Sequence, residues 1–348
     1  MPTLSNVIPP LPMHPATPFK AATLHDVARQ AGVSPITASR ALSNPKLVSE
    51  NTILKVQAAA QAVGYIPNLL AGGLKSKRSL MVAGLVPTIS VAQFLPTVQA
   101  LTETLADAGY QLILGQTGYD HAREEALINT MISRRADGIV FTGLVHSATA
   151  RERLRRVGIP VVETWDLSER PIDMLVGFSH LKVGSAIAGY FLGKGWQRVG
   201  IATGDDHRGA LRREGFLATI GKDVPTAVVP APSSLALGRR ALADLLRQDP
   251  KLQAVYCSSD QLAQGVLAEA QARGIRVPQE LAVCGFGNAD FAAHMQPSLT
   301  TVHVDGAAIG RLAAQLVIDR CNDTPIQNPV VDVGFSIIER RSTSLSQA

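Results

Sequence analysis

The sequence predicts an N-terminal all-α helix-turn-helix headpiece followed by an α/β two-lobed body, and three observations carry that reading. Between Thr23 and Leu42, "TLHDVARQAGVSPITASRAL" sets two short helical patterns around one glycine. From Leu80 onward the pattern becomes short apolar runs alternating with helical stretches, the signature of βα units. Those units come as two series in tandem, which predicts two parallel sheets covered by helices, with a cleft between them. A chain of 348 residues, 46% hydrophobic, is long enough for two or three domains with separate cores.

In the headpiece Thr23 is an N-cap, and Asp26 three residues later completes a capping-box variant. Leu24, Val27, Ala28 and Ala31 then share one helical face, and Gly32 ends the helix where positive φ is needed. Ser34 caps the second helix, with Pro35 at its first position, where a missing N–H removes no hydrogen bond. That helix runs to about Leu42; "SNPKLVS" loops to a third cap at Ser49, and Ile53, Val56, Ala60 and Val63 line the third helix before Gly64. On the second helix Ala38, Ala41 and Leu42 face inward, leaving Pro35, Ile36, Ser39 and Arg40 outside. A helix laid in a major groove offers such N-terminal residues to base edges, and the Arg40 fork suits guanine. The hydroxyls of Ser34, Thr37 and Ser39 suit phosphate oxygens.

Charge placement agrees. From Lys20 to Ser79 eight Lys or Arg face two acids, a net +6 in a chain whose total is +5. A compact basic module on a neutral body points to a polyanionic partner for the module alone. The first 18 residues hold six prolines and read as a disordered tail rather than a signal peptide. Cys257, Cys284 and Cys321 have no metal-ligand spacing and read as reduced thiols, which points to the cytoplasm.

In the body "LMVAGLVP", "YQLILGQ", "ADGIVFTG" and "IPVVETWD" are strands, separated by helices near 93–109, 121–134 and 147–157. The second series is "MLVGFSH", "RVGIATGD", "TAVVPAP", "LQAVYCSSD" and "ELAVCGFG". Ligands of open α/β sheets bind beyond the carboxyl ends of the strands. Those ends carry Gln93 and Phe94, Tyr119 and Asp120, His146, and then Glu163, Trp165 and Asp166 in the first series. The second series supplies Asp206, Arg208, Arg212, Asp260, Asn288 and Asp290. Arginine for a carboxylate, acids for hydroxyls and an aromatic for a C–H face make the inventory of a site for a small polyhydroxylated anion.

The headpiece resembles that of the LacI/GalR family of bacterial transcription regulators. The resemblance runs through T-L-x-D-V-A-x-x-A-G-V-S, the S-R-x-L helix and "GYIPN". It implies that Thr23, Ser34, Pro35, Ile36, Thr37, Ser39 and Arg40 contact operator DNA and that residues 67–79 form a hinge. In the family the hinge becomes helical only on DNA; Asn68 aligns with its start, and Leu74 is then the leucine that wedges between base pairs from the minor groove. Gly72 and Gly73 depart from the pattern and cost about 1 kcal/mol each in a helix interior, so an easily released hinge is expected. Across the body the resemblance implies a periplasmic-binding-protein-like effector domain in which Arg212 and Asp260 hold the effector. Gly287 stands where an Asp is usual, which transfers that contact to Asn288. The expected sites are thus Gln93, Phe94, His146, Trp165, Arg208, Arg212, Asp260 and Asn288 for effector.

The implied divisions are a tail over 1–19, the headpiece over 20–66, the hinge over 67–79 and the body over 80–348. Within the body the first lobe takes about 80–177 and 302–325, the second about 178–298 and 328–343. "QTGYDHAREE", "GIPVVETWD" and "DMLVGFSH" look most like the gluconate-utilisation repressors, which implies a sugar-acid effector such as gluconate or a ketogluconate. The chain is then a homodimer or tetramer that represses from a palindromic operator, with no cofactor, metal or membrane. The sign of control stays open, since some family members need a corepressor. An enzyme reading finds no G-x-G-x-x-G after a strand, no G-x-x-x-x-G-K-[ST] and no nucleophile elbow. A plain periplasmic sugar-binding protein would carry a signal peptide and lack the basic module.

Overall fold

The computed structural model describes residues 21–66, 78–221 and 223–344. The tail and, in the hinge, Asn68, Gly72, Gly73 and Leu74 lie outside them. The chain divides into two compact units, Met1–Ser79 and Leu80–Ala348.

The first unit contains α1 (Leu24–Ala31), α2 (Pro35–Ser43) and α3 (Glu50–Val63). Both halves of the capping box form: Thr23 Oγ1 accepts from the Asp26 N–H at 3.4 Å, and the Asp26 carboxylate accepts from the Thr23 backbone N–H at 2.9 Å. Gly32 and Gly64 end α1 and α3 in the left-handed region at φ 66° and 67°, which a residue without Cβ adopts freely. Ser34 Oγ accepts from the Thr37 N–H at 3.1 Å, with Pro35 at the first helical position. Ser49 differs from expectation: its hydroxyl meets Thr52 Oγ1 at 2.9 Å instead of a backbone N–H. Val27, Ala28, Ala38, Ala41, Val56, Ala59 and Ala60 are buried together as the core.

The second unit holds two six-stranded sheets, each covered on both faces. The first comprises β1 (Met81–Val86), β2 (Gln111–Gln116), β3 (Gly138–Thr142), β4 (Val161–Thr164), β5 (Met174–Gly177) and β11 (Val330–Asp332), in the order β11-β5-β4-β3-β1-β2. The second comprises β6 (Val199–Gly204), β7 (Thr226–Val229), β8 (Ala254–Cys257), β9 (Ala282–Phe286), β10 (Thr300–His303) and β12 (Ser336–Ile338), in the order β12-β10-β9-β8-β6-β7. Every pairing is parallel except that of β12 with β10. Alternate residues of each strand enter opposite cores: Val82, Val140 and Val162 on one side, Ala83, Ile139 and Val161 on the other.

The helices of the first lobe are α4 (Leu95–Asp107), α5 (His121–Ser133), α6 (Ala148–Val157) and α12 (Gly306–Cys321). The second lobe has α7 (His180–Gly193), α8 (His207–Ile220), α9 (Leu235–Gln248), α10 (Asp260–Ala272) and the short α11 (Phe291–His294). The chain passes between lobes after β5, after β10 and after β11.

Three assignments are corrected. "MLVGFSH", grouped with the second strand series although the 80–177 boundary places Met174–Gly177 in the first lobe, contributes β5 to the first sheet, because Val162, Glu163 and Thr164 of β4 pair with Met174, Leu175 and Val176. The 302–325 segment is divided: β10 pairs with β9 in the second sheet, whereas α12 packs on α4 and the first sheet. The 328–343 segment is divided too, since β11 pairs with β5 before β12 returns to β10. These short strands carry no local mark of their partner.

Candidate effector cavity and DNA-contacting face

A cavity of about 580 Å³ opens between the lobes at the carboxyl ends of β1, β2, β3, β4, β6 and β7. That volume lies inside the range of ~300–1,000 Å³ usual for small-molecule sites. The first lobe lines it with Tyr119, Asp120, His121, Glu124, His146 and Asp166, the second with Asp205, Asp206, His207 and Arg208. Short-range capping holds several of these in place. Asp120 Oδ1 accepts from the Ala122 N–H at 2.9 Å at the start of α5, and Asp206 Oδ1 from the Gly209 N–H at 3.0 Å at the start of α8. Asp205 Oδ1 accepts from the Ala231 N–H at 2.8 Å.

Arg208 supplies the cation among these lining residues. Its Nη1 is buried with no hydrogen-bond partner among the described residues, and its guanidinium lies 5.1 Å from the Phe94 ring centroid. Burial holds its pKa below the usual arginine range, with Asp206 and Tyr119 opposing. Glu124 Oε1 is likewise buried without a partner, and burial raises the pKa of Glu124, Asp166 and Tyr119. Three imidazoles line the wall: His146 is 4.7 Å from His207 and 6.1 Å from His121 between ring centroids.

The other expected contacts sit behind or beside the cavity, held by the protein itself. Arg212 is 5% exposed; its Nη1 donates to His180 Nδ1 at 2.9 Å and its Nη2 to the Ser258 carbonyl at 3.2 Å, while Nε has no partner. His180 Nε2 donates to the Trp165 carbonyl at 2.9 Å, which leaves Nδ1 to accept from Arg212. Burial first, then the Arg212 charge, keeps the His180 pKa well below its ordinary value, so the ring is neutral. Trp165 Nε1 donates to Thr97 Oγ1 at 2.9 Å, and Thr97 to the Gly306 carbonyl at 2.8 Å. One buried chain of bonds therefore joins α8 to the first lobe through His180. Trp165 holds φ 62°, and Gly177 permits this turn because a Cβ there would lie 1.8 Å from the Asp166 carbonyl oxygen.

Asp260 is 3% exposed, accepting from Thr301 Oγ1 at 2.6 Å and from the Ala289 N–H at 2.7 Å, and burial pushes its pKa up to about 6. Asn288 ties the crossover to the C-terminal segment: Nδ2 is 3.3 Å from His303 Nδ1, and Oδ1 accepts from Arg340 at 2.8 Å. Gln93 and Asp260 border a second recess of only about 20 Å³. Of the eight expected effector residues, His146 and Arg208 line the large cavity, and Phe94 covers Arg208. His121 and His207, unassigned on sequence grounds, line it as well. Each begins a helix directly after a strand end, and that position was the available signal.

On the headpiece Pro35, Ile36, Ser39 and Arg40 are exposed on one side of α2, Ile36 at 65%. Thr23 and Ser34 are exposed at their cap positions, and Thr37 is half-buried beside Ser34, their hydroxyls 2.8 Å apart. A basic helix-turn-helix unit joined to a two-lobed α/β domain with a polar cleft defines the class of two-part DNA-binding regulators.

Comparison with known proteins agrees. Residues 23–68 match the "Bacterial regulatory proteins, lacI family" model, and residues 188–343 match the "Periplasmic binding protein-like domain" model. The HTH-type transcriptional regulator GntR of Pseudomonas aeruginosa is 36% identical over 92% of this chain and 95% of its own length. A LacI-family transcriptional regulator from Silicibacter pomeroyi has a solved structure that superposes with TM-score 0.87 at 33% identity, covering 92% of this chain and 99% of that one. The transcription regulator GntR from Chromobacterium violaceum superposes with TM-score 0.73 at 33% identity, over 76% and 99%. The chain belongs to the LacI family of DNA-binding transcriptional regulators. No helix among the described residues is long and apolar enough to cross a membrane.

Proposed function

We propose that this regulator is a homodimeric repressor, released from a palindromic operator by a small polyhydroxylated carboxylate such as gluconate or a ketogluconate. The supporting observation is Arg208, which lines a cavity otherwise rich in carboxylates and whose Nη1 is buried with no hydrogen-bond partner among the described residues. A buried cationic donor without a partner is unfavourable, and a ligand carboxylate supplies a charge-assisted bond. Asp166, Asp205 and Glu124 then accept sugar hydroxyls, and Arg212, held by His180, adds positive potential from behind. Gln93, Phe94, Trp165, Asp260 and Asn288 position the lobes and floor around the ligand.

At the other end, Arg40, Ile36, Pro35 and Ser39 read bases in a major-groove half-site, with Thr23, Ser34 and Thr37 on phosphates. The hinge carries Asn68 and Leu74 to the minor groove. Titration calorimetry of the full chain against gluconate, 2-ketogluconate and their neutral sugars tests the effector class, with Arg208→Ala and Arg212→Ala alongside. Binding of an acid, absent for its neutral sugar and lost in Arg208→Ala, is expected. Equal binding of the neutral sugars removes the carboxylate reading.

A further inference from the structure

We infer that the histidine triplet makes ligand binding proton-linked: an anion enters the cavity together with a proton taken up at His146, which stands between imidazoles of both lobes. This deepens the sugar-acid reading and rests on it. His121 and His146 stand on the first lobe and His207 on the second, and the His146–His207 ring centroids are 4.7 Å apart across the cleft. Imidazoles at this separation repel when both are charged, so a proton without an anion disfavours the approach of the lobes. A carboxylate beside them reverses the sign: it stabilises a protonated His146, and that charged ring holds the lobes on the anion. The anion and the proton thus close the cleft jointly.

The neighbourhood favours this arrangement. The cavity walls strip water from His146, and the charges of His207, His121, Arg208 and Arg151 add to that effect, holding its pKa below the ordinary histidine value. The free protein therefore keeps this ring neutral near neutral pH, ready to accept a proton when negative charge arrives. Asp120, Asp205 and Asp206 face the same space, but each has an oxygen committed to a backbone N–H. Glu124 on α5, Asp166 after β4 and Tyr119 after β2 complete the facing titratable groups, all with pKa values raised by burial. The two acids neutralise as pH falls, which also favours an anion. Every contribution points one way: affinity rises from alkaline toward mildly acidic pH.

If binding raises one imidazole by about one pKa unit, the limiting gain in affinity is about tenfold. The test is titration calorimetry of the full chain with gluconate and 2-ketogluconate at about pH 6, 7 and 8, bracketing the histidine range. Each pH is measured in two buffers that differ in ionisation heat, so that the buffer dependence counts protons. The expected result is proton uptake of up to about half a proton per chain, greatest toward the lower pH, and affinity about three- to sixfold higher at pH 6 than at pH 8, inside the tenfold limit. His207→Gln and His146→Gln, which keep a polar side chain at the wall, each reduce the uptake and flatten the pH dependence. Binding with buffer-independent heat at every pH overturns the proposal and leaves the sugar-acid reading intact. No heat with any acid in any buffer overturns that reading and this proposal with it.

Discussion

Replacing His180 by Phe removes both polar contacts of a buried ring while keeping a ring of similar shape between Phe178 and Phe286. Two bonds of 2.9 Å disappear: Nε2–H to the Trp165 carbonyl, and Arg212 Nη1–H to Nδ1. The Trp165 carbonyl loses a buried donor, and Arg212, whose Nε already has no partner, keeps only the Ser258 carbonyl. At about 1–3 kcal/mol for each orphaned buried group, with the cation toward the upper end, the loss is about 3–5 kcal/mol. Urea unfolding followed by tryptophan fluorescence measures it, because both tryptophans, Trp165 and Trp196, belong to the body. The pH dependence gives a second reading. Folding depresses the His180 pKa, so the unfolded chain binds more protons below the ordinary histidine value of about 6.5. The stabilisation is complete above that value and is lost as pH falls below it; His180→Phe lacks this slope. A loss under about 1 kcal/mol with an unchanged slope would refute the proposed chain from α8 to the first lobe.

Other outcomes follow from the same structure. Ser34→Ala removes the acceptor for the Thr37 N–H and is expected to lower headpiece stability by about 1 kcal/mol, read by thermal melting followed by circular dichroism. Arg40→Ala is expected to weaken a selected operator by about 1–3 kcal/mol and to relax preference at one base pair; a uniform loss across sequences with a smaller salt slope assigns it to phosphate instead. Asp260→Asn can still accept from Ala289 N–H and meet Thr301 Oγ1 with its amide, so the fold is retained. The Asp260 carboxyl, raised to about 6, costs stability as pH climbs through that value. The Asn variant should therefore lose this contribution between about pH 4 and 6, measured as unfolding free energy against pH.

The features legible in the sequence were those set by a few neighbouring residues. The caps at Thr23 and Ser34 depend on contacts three residues apart, and both form, whereas the Ser49 hydroxyl is taken by Thr52. The stop at Gly32 needs only a residue that takes φ 66°. Strand partners were harder to read: β5 and β11 are brief apolar runs whose place beside β4 is set by tertiary packing. The site was half visible for the same reason. Residue type and strand-end position marked His146 and Arg208, yet the environment of Arg212 depends on His180 and Ser258, distant along the chain. The pairing of His146 with His207 exists only once two lobes face each other. Local patterns name the residues at a cleft without saying which ones the protein uses to hold itself together.

The proposed function requires that occupation of this cavity change the hold on DNA, with Arg208 as the ligand's charged partner. Fluorescence anisotropy of a labelled palindromic duplex, selected by the purified full-length protein, tests it directly. Gluconate or a ketogluconate is predicted to weaken the wild-type complex by about 5–150-fold, the span of a coupling of ~1–3 kcal/mol. Arg208→Ala should bind the duplex as tightly as wild type without effector and show no weakening when it is added. Equal release from wild type and Arg208→Ala would remove Arg208 as the ligand's partner, and no response of the wild type to any sugar acid would remove the effector.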